Sequence, residues 1–195
     1  GRGLLYFFAG HFEKAQNDYD QAIELDPSNG RYHGLRGVLL GQIGDAPKAL
    51  TDLEKAYELG DHDASYILAR AQLLLAIREL PRAEEALALA EKHEADQAAL
   101  SSLEGALSML KGNPQEALAS YRFAVDQAPQ VADNWMNMLA LTAKLDRPRL
   151  LEEANRALEA HPNNEEFIQL AVGALVESGQ PKEAFALLGD AIKRL

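Results

Sequence analysis

Apolar and small residues recur along this chain at a fixed interval of 34 residues. One column of alanines runs through Ala15, Ala49, Ala83 and Ala117, and a second column of tyrosines and leucines begins at Tyr19. A constant period of this size indicates one supersecondary unit stacked many times, rather than a single core closed on itself. Stacked arrays present long surfaces, so the pattern already favours a function in holding partners.

Within each period the apolar residues follow helical spacing. Ala117, Tyr121 and Ala124 are separated by four and three residues, which places them on one face of a helix. Glycines are expected to end the first helix of a unit in the left-handed conformation, and prolines to begin the second. The glycines are Gly10, Gly44, Gly112 and Gly179, and the prolines are Pro47, Pro81, Pro114, Pro148 and Pro181. No alternation typical of strands appears, so we predict an all-α fold.

A set of small and aromatic residues occupies matching places in successive units. It comprises Gly3, Tyr6, Ala15, Tyr19, Ala22 and Pro27 in the first unit, with Gly105 and Trp135 at equivalent places further on. This arrangement resembles the tetratricopeptide repeat family of bacterial type. The resemblance implies a right-handed superhelical solenoid of antiparallel helix pairs, in one domain. The six expected repeats are 1–29, 30–63, 64–97, 98–131, 132–164 and 165–195, and we expect them to be part of a longer protein.

Composition and charge narrow the class of partner. The hydrophobic content of 47% and charged content of 25% are ordinary for a folded protein, and no apolar stretch approaches the roughly 18 residues that span a bilayer. The net charge of −11 is spread over all six units, which disfavours nucleic acid and anionic membrane surfaces. The absence of cysteine excludes disulfides and thiolate metal sites, but leaves the compartment open.

Candidate chemistry is sparse in this sequence. The five histidines lie in different units, with no spacing that joins two on one helix face, and His33 takes the place that Trp135 holds in the fifth unit. We therefore interpret His33 as a packed residue. Adjacent carboxylates such as Glu152 and Glu153 fall in first turns of helices, where they stabilise the helix dipole. We predict a non-catalytic protein with no cofactor and no metal.

The resemblance also implies a binding groove lined by the first helix of each unit. Transferring its groove positions onto this chain gives Phe7, Val38, Leu68, Gln72, Leu75, Ser102, Met109, Met136, Asn137, Ala140 and Gln169. These residues are mostly small or apolar, so they predict an apolar peptide or amphipathic helix as the ligand. The alternative is that some of them, such as Val38 and Ala140, pack between neighbouring units. Met109 and Met136 are equally suited to filling gaps in the core.

Two classes of function follow from these patterns. The first is an interaction scaffold for a protein or peptide partner, which the resemblance associates with bacterial envelope assembly, secretion or exopolysaccharide export. The second is a structural module that self-associates into a homo-oligomer through its terminal helices. Lysines and arginines that would clamp the acidic tail of a heat-shock chaperone are missing from the groove positions. For the compartment, the resemblance favours the bacterial periplasm or envelope, with the cytoplasm as the alternative.

Overall fold

The computed structural model describes residues 1–194, and these residues form helices joined by short turns, without any strand. The described α-helices are α1 (Arg2–Phe8), α2 (Phe12–Leu25), α3 (Gly30–Gln42), α4 (Ala46–Glu58), α5 (Ala64–Ala76), α6 (Leu80–Lys92), α7 (Gln97–Leu110), α8 (Pro114–Gln127), α9 (Ala132–Leu145), α10 (Leu150–Ala160), α11 (Glu165–Glu177) and α12 (Pro181–Arg194). The prediction of an all-α helical repeat array is confirmed.

The chain divides into two compact units, which are described separately. The first unit, Gly1–Leu110, contains α1 to α7, and the second begins at Lys111 and contains α8 to α12. In the first unit, α1 packs on α2, α3 on α4 and α5 on α6, and each pair contacts the next. The first helices α3, α5 and α7 also contact one another in sequence. The division falls inside the expected repeat 98–131, and the one-domain organisation with its repeat boundaries stays a prediction.

Helix ends follow the glycine and proline signals closely. Gly10, Gly44, Gly112 and Gly179 have φ values of 74°, 88°, 82° and 75°, as their predicted left-handed positions require. Four of the five prolines lie in the first turns of α4, α6, α8 and α12. Pro148 instead lies in a 3₁₀ turn, Arg147–Arg149, that leads into α10. A 3₁₀ turn rises further per residue than an α-helix, which suits the repeat 132–164, which is one residue shorter than the 34-residue period.

Small residues hold the helices of a pair close together. The alanine column from Ala15 to Ala117 is fully buried. A Cβ atom added to Gly37 on α3 would lie 2.7 Å from Leu53 Cγ and 3.1 Å from the Ala49 carbonyl oxygen, both on α4. The two helices therefore approach to a distance that only glycine allows at this position.

A buried polar network fixes α3 between α2 and α4. Arg36 on α3 donates to Asp52 on α4 at 2.6 Å and to Asp20 on α2 at 2.7 Å. The hydrogen bond to Asp52 is the main reason that the pKa of Arg36 is raised above its ordinary value, although desolvation opposes it. Because the guanidinium stays charged and paired, this network links two consecutive helix pairs.

His33 is a packed residue of this network, as predicted. Its Nδ1 lies 3.2 Å from Asp52 Oδ1, its Nε2 lies 3.2 Å from the Pro27 carbonyl oxygen, and the residue is buried. Trp135, in the fifth repeat, donates from Nε1 to the Pro129 carbonyl oxygen at 2.8 Å. The two side chains thus hydrogen-bond to equivalent proline carbonyls, which explains why a histidine can replace the tryptophan of the repeat.

Candidate functional site

A groove lies between the first helices α3 and α5 of the first unit. We call it the α3–α5 groove; it has a cavity volume of about 200 Å³ and is lined by Gly37, Val38, Gly41, Gln42, Ala69, Gln72, Leu73 and Ala76. Gln42, Gln72 and Ala76 are exposed, whereas Gly37 forms the buried floor. None of the lining side chains carries a charge, although the chain has a net charge of −11.

The groove is uncharged because the central arginines of α3 and α5 face the second helices. Arg36 is bound by Asp52 and Asp20, and Arg70, one repeat later, has its Nε 3.6 Å from Glu54 Oε1 on α4. Small residues on the opposite side leave room between the helices. A Cβ added to Gly41 would lie 3.4 Å from Leu73 Cδ1, which is ordinary van der Waals contact. A residue larger than glycine at position 41 would therefore touch the opposite wall and narrow the groove.

The structure brings two of the predicted site residues of the first unit together in this groove, Val38 and Gln72. Met109 on α7 is 42% exposed, and Ser102 on the same helix is half-buried. Phe7 is half-buried and its ring centroid lies 5.9 Å from that of Phe12. For these residues a role in binding stays a prediction.

Two leucines of α5 belong wholly or partly to the core. Leu75 is only 6% exposed, so it lies mostly in the core rather than on an open surface, and its role in binding stays a prediction. It follows the fully buried Ala71 by one helical turn and packs in the same cluster, so it points to the core side of α5. Leu68 is half-buried and packs against that cluster from its edge. The packing alternative therefore applies to Leu75 and partly to Leu68.

The second unit carries its own predicted residues on α9 and α11. Asn137, Ala140 and Gln169 are exposed, and Met136 is half-buried against the core of this unit. Their exposure is compatible with binding. They stay predictions as site residues.

Six of the eight lining residues were not among the predicted site residues: Gly37, Gly41, Gln42, Ala69, Leu73 and Ala76. Gln42 and Ala76 are 34 residues apart, and each lies one helical turn after a predicted residue, Val38 or Gln72. Extending the predicted positions by four residues along the same helix face would have found both. Ala69 lies two periods before the predicted Asn137, so its column could also have found it. Leu73 carried no comparable signal, because its column holds leucines throughout, which is typical of core positions.

Three rings meet at the turns that precede α5 and α7. The ring centroids of His62 and His93 are 4.9 Å apart, and that of Tyr57 is 4.4 Å from His62. The sequence did not predict this contact, because the two histidines lie in different turns. Within residues 1–194, no group of three or more His, Cys, Asp or Glu side chains is arranged to hold a metal ion.

None of the helices in the described part of the chain is long and apolar enough to cross a bilayer.

Family models match the chain in two regions that together cover most of it. Residues 1–65 match the tetratricopeptide repeat model, and residues 77–195 match the bacterial transcriptional activator domain model. The chain belongs to the tetratricopeptide repeat family, and residues 77–195 belong also to the bacterial transcriptional activator domain family. No curated protein matches it in sequence.

Solved structures share the fold of this tetratricopeptide repeat protein at low sequence identity. PilF of Pseudomonas aeruginosa is 17% identical with a TM-score of 0.81, over 98% of this chain and 87% of that one. YrrB, described as a TPR protein with an unusual peptide-binding site, is 17% identical with a TM-score of 0.64, over 90% and 91%. A tetratricopeptide repeat protein of Parabacteroides merdae is 14% identical with a TM-score of 0.70, over 98% and 75%.

The solved structures show the fold, and the family match supports a general function at the level of the repeat. Tetratricopeptide repeats are scaffolds for protein–protein interaction, they bind protein or peptide partners, and they are in general non-catalytic. The partner, the surface and the pathway of this chain are separate questions.

Proposed function

We propose that this protein binds a peptide or amphipathic helix of a partner protein on its first helices, with the α3–α5 groove as the anchoring site in the first unit. The observation that carries the proposal is an uncharged cavity of about 200 Å³ on a strongly acidic chain. Small-molecule pockets are usually about 300–1,000 Å³, so this cavity better suits one or two side chains that project from a peptide.

The chemistry of the lining agrees with a peptide ligand. Val38, Leu73 and Ala76 offer apolar contact, while the exposed amides of Gln42 and Gln72 can hydrogen-bond to a peptide backbone. YrrB shows by its description that a related fold can carry a peptide-binding site. Peptide anchors of this kind usually dominate the binding energy, since a few buried side chains contribute most of it.

A matched pair of substitutions tests the groove. Ala76→Arg places a long charged side chain in the cavity lining, whereas Ala88→Arg makes the same change at an exposed alanine of the second helix α6. Both variants and the parent chain would be immobilised and used to select from a displayed library of random peptides. Circular dichroism would first show that both variants keep their helical content.

We expect the selection to yield peptides that bind the parent chain and the Ala88→Arg variant equally well. The same peptides should bind the Ala76→Arg variant at least about tenfold more weakly, because loss of one anchor pocket typically costs more than 1 kcal/mol. If selected peptides bind Ala76→Arg as tightly as the parent, the groove is not the binding site. Failure to enrich any peptide also contradicts the proposal.

For the pathway, we propose the roles that the sequence resemblance implies: bacterial envelope assembly, secretion or exopolysaccharide export. The match to the bacterial transcriptional activator domain family also supports a place in a regulatory protein. It does not indicate a DNA-binding surface on this chain. Residues 111–195 contain 9 Lys and Arg against 12 Asp and Glu, a net charge of 9 − 12 = −3, so this unit is not basic. A pathway would be tested by identifying the proteins whose segments match the selected peptides.

A second candidate function, self-association, is favoured by one observation in the second unit. On α12, Phe185, Leu188 and Ile192 are 80%, 39% and 73% exposed, and their spacing places them on one helix face. Light scattering over a range of protein concentrations would test this function. Oligomers that dissociate on dilution and in a Phe185→Ser variant would support it, whereas a monomer at all concentrations would exclude it.

A further inference from the structure

Most of the net charge of the chain lies in its first compact unit, which is also the longer of the two. Residues 1–110 contain 10 Lys and Arg against 18 Asp and Glu, a net charge of 10 − 18 = −8 out of the total of −11. The α3–α5 groove belongs to this unit and has no charged lining residue. An uncharged groove within an acidic surface selects its ligand partly by charge, since a surface potential of one sign attracts ligands of the other.

Much of this negative charge lies in the turns that lead into the first helices. Asp61 and Asp63 precede α5, and Glu94 and Asp96 precede α7; we call these four residues the acidic edge. Three of them are exposed and Asp61 is half-buried. In the described part of the chain none of the four forms an ion pair with a lysine or arginine, so their charge is not neutralised internally.

Two observations place the acidic edge beside the groove helices. The contact of the His62 and His93 rings, with centroids 4.9 Å apart, brings the two turns side by side. Tyr66, in the first turn of α5, has its pKa raised to about 12, by burial first and then by the charges of Asp61 and Asp63, while Arg31 on α3 opposes the rise. The negative field of the edge therefore reaches the first helices themselves.

The acidic edge lies within electrostatic range of the groove. On α5 the groove residues run from Ala69 to Ala76, and the helix begins at Ala64. At 1.5 Å per residue, the groove lies about 8–18 Å along the helix from the edge. The near end of the groove is therefore within about one Debye length (roughly 8–10 Å) of the edge at about 0.1–0.15 M salt, so charges on a ligand seated there interact with the edge.

We propose that the partner of the first unit is a basic amphipathic helix, with its apolar face in the α3–α5 groove and lysines or arginines on the flank that faces the acidic edge. This inference rests on the proposed function and specifies the chemistry of the partner. The apolar face supplies contact, and the basic flank supplies orientation and charge selection. An acidic or phosphorylated helix is repelled by the same surface.

Three synthetic helical peptides test the charge of the partner. Each has about 18 residues and the same leucine and alanine face, and the flank positions are all lysine, all glutamine or all glutamate. Fluorescence anisotropy would measure their affinity for the complete chain at about 50 mM and about 500 mM salt. We expect the lysine peptide to bind roughly tenfold more tightly than the glutamine peptide at low salt, and this ratio to shrink at high salt, because exposed charges are screened.

A double variant tests the edge itself. Asp61→Asn with Asp96→Asn removes two charges but keeps the side-chain oxygens that accept from the Asp63 and Ala99 amides. The control, Glu13→Gln with Glu85→Gln, removes two charges from exposed positions on the second helices α2 and α6. The edge variant should lower the lysine-to-glutamine affinity ratio to about twofold to threefold, and the control should leave the ratio near that of the parent.

The outcomes separate this inference from the proposed function. If Ala76→Arg abolishes binding but the three peptides bind equally, the groove stands and the basic partner is wrong. Equal effects of the edge variant and its control mean that only net charge matters, which also overturns the inference. Tighter binding of the glutamate peptide, or no binding by the lysine peptide, contradicts it directly.

Discussion

Gly37 and Gly173 are both helical glycines, but their surroundings differ, so the same substitution should have opposite effects on stability. Gly37 on α3 faces α4, where a new Cβ would lie 2.7 Å from Leu53 Cγ and 3.1 Å from the Ala49 carbonyl oxygen. Gly173 on α11 has no atom within 4 Å of the same position. The two sites thus separate the intrinsic helix preference of alanine from the crowding that it causes.

The magnitudes can be worked out from these distances. Replacing a helical glycine by alanine gains up to about 1 kcal/mol of intrinsic propensity. Overpacking a core contact costs about 1–3 kcal/mol, and at position 37 one of the crowded atoms is backbone, which cannot rotate away. We therefore expect Gly37→Ala to lower the free energy of unfolding by about 1 kcal/mol net, and Gly173→Ala to raise it by up to about 1 kcal/mol.

Thermal unfolding followed by circular dichroism measures both changes. For a chain of this length, 1 kcal/mol corresponds to about 2–4 °C in Tm, so the two variants should move in opposite directions by a few degrees. Urea unfolding with unchanged slopes would show that the native state is what changed. If Gly37→Ala raised Tm as much as Gly173→Ala, the close approach of α3 and α4 would be wrong.

Three further substitutions test other parts of the structure. Arg78 has a φ of 61° at the end of α5, so Arg78→Gly should raise the free energy of unfolding by about 1 kcal/mol in urea titrations. A lower free energy of unfolding would contradict that backbone conformation. Asp52→Ala leaves Arg36 without its main partner and should cost about 2–3 kcal/mol in the same assay; a change under about 0.5 kcal/mol would refute the network. Burial, and then repulsion from Glu91, raises the pKa of Glu104. The folded state therefore binds this proton more tightly than the unfolded state does. The contribution of the Glu104 carboxyl to the free energy of unfolding falls as pH rises through the carboxyl range. Glu104→Gln should therefore stabilise the protein at pH 7 and lose that advantage in acid; an equal gain at both pH values would contradict the shift.

Much of the fold could be predicted from the sequence because the repeat fixes local structure. The 34-residue columns identified which small residues are buried, and the glycine column identified the left-handed helix ends. His33 was correctly interpreted as packed because its column holds Trp135 elsewhere. Each of these inferences concerns one residue and its place within a repeat, which periodicity determines well.

Contacts between repeats were harder to predict, because they depend on the angle between helix pairs. The pairing of Arg36 with acids of two helices, and the contact of His62 with His93, have no signal within a single unit. Leu75 was assigned to a surface and is buried, since a rotation of one position around α5 exchanges the groove side for the core side. The face of a helix follows from spacing, but its exact edge depends on the neighbouring helix.

Site-directed photo-crosslinking tests the central claim, that peptides bind on the first helices, most directly. A benzophenone amino acid would replace Gln72 in the α3–α5 groove or Ala88 on α6, both of which are exposed. With the lysine peptide present, the account predicts crosslinks from position 72 and none above background from position 88. Crosslinks from position 88 alone, or equal yields from both positions, would contradict it.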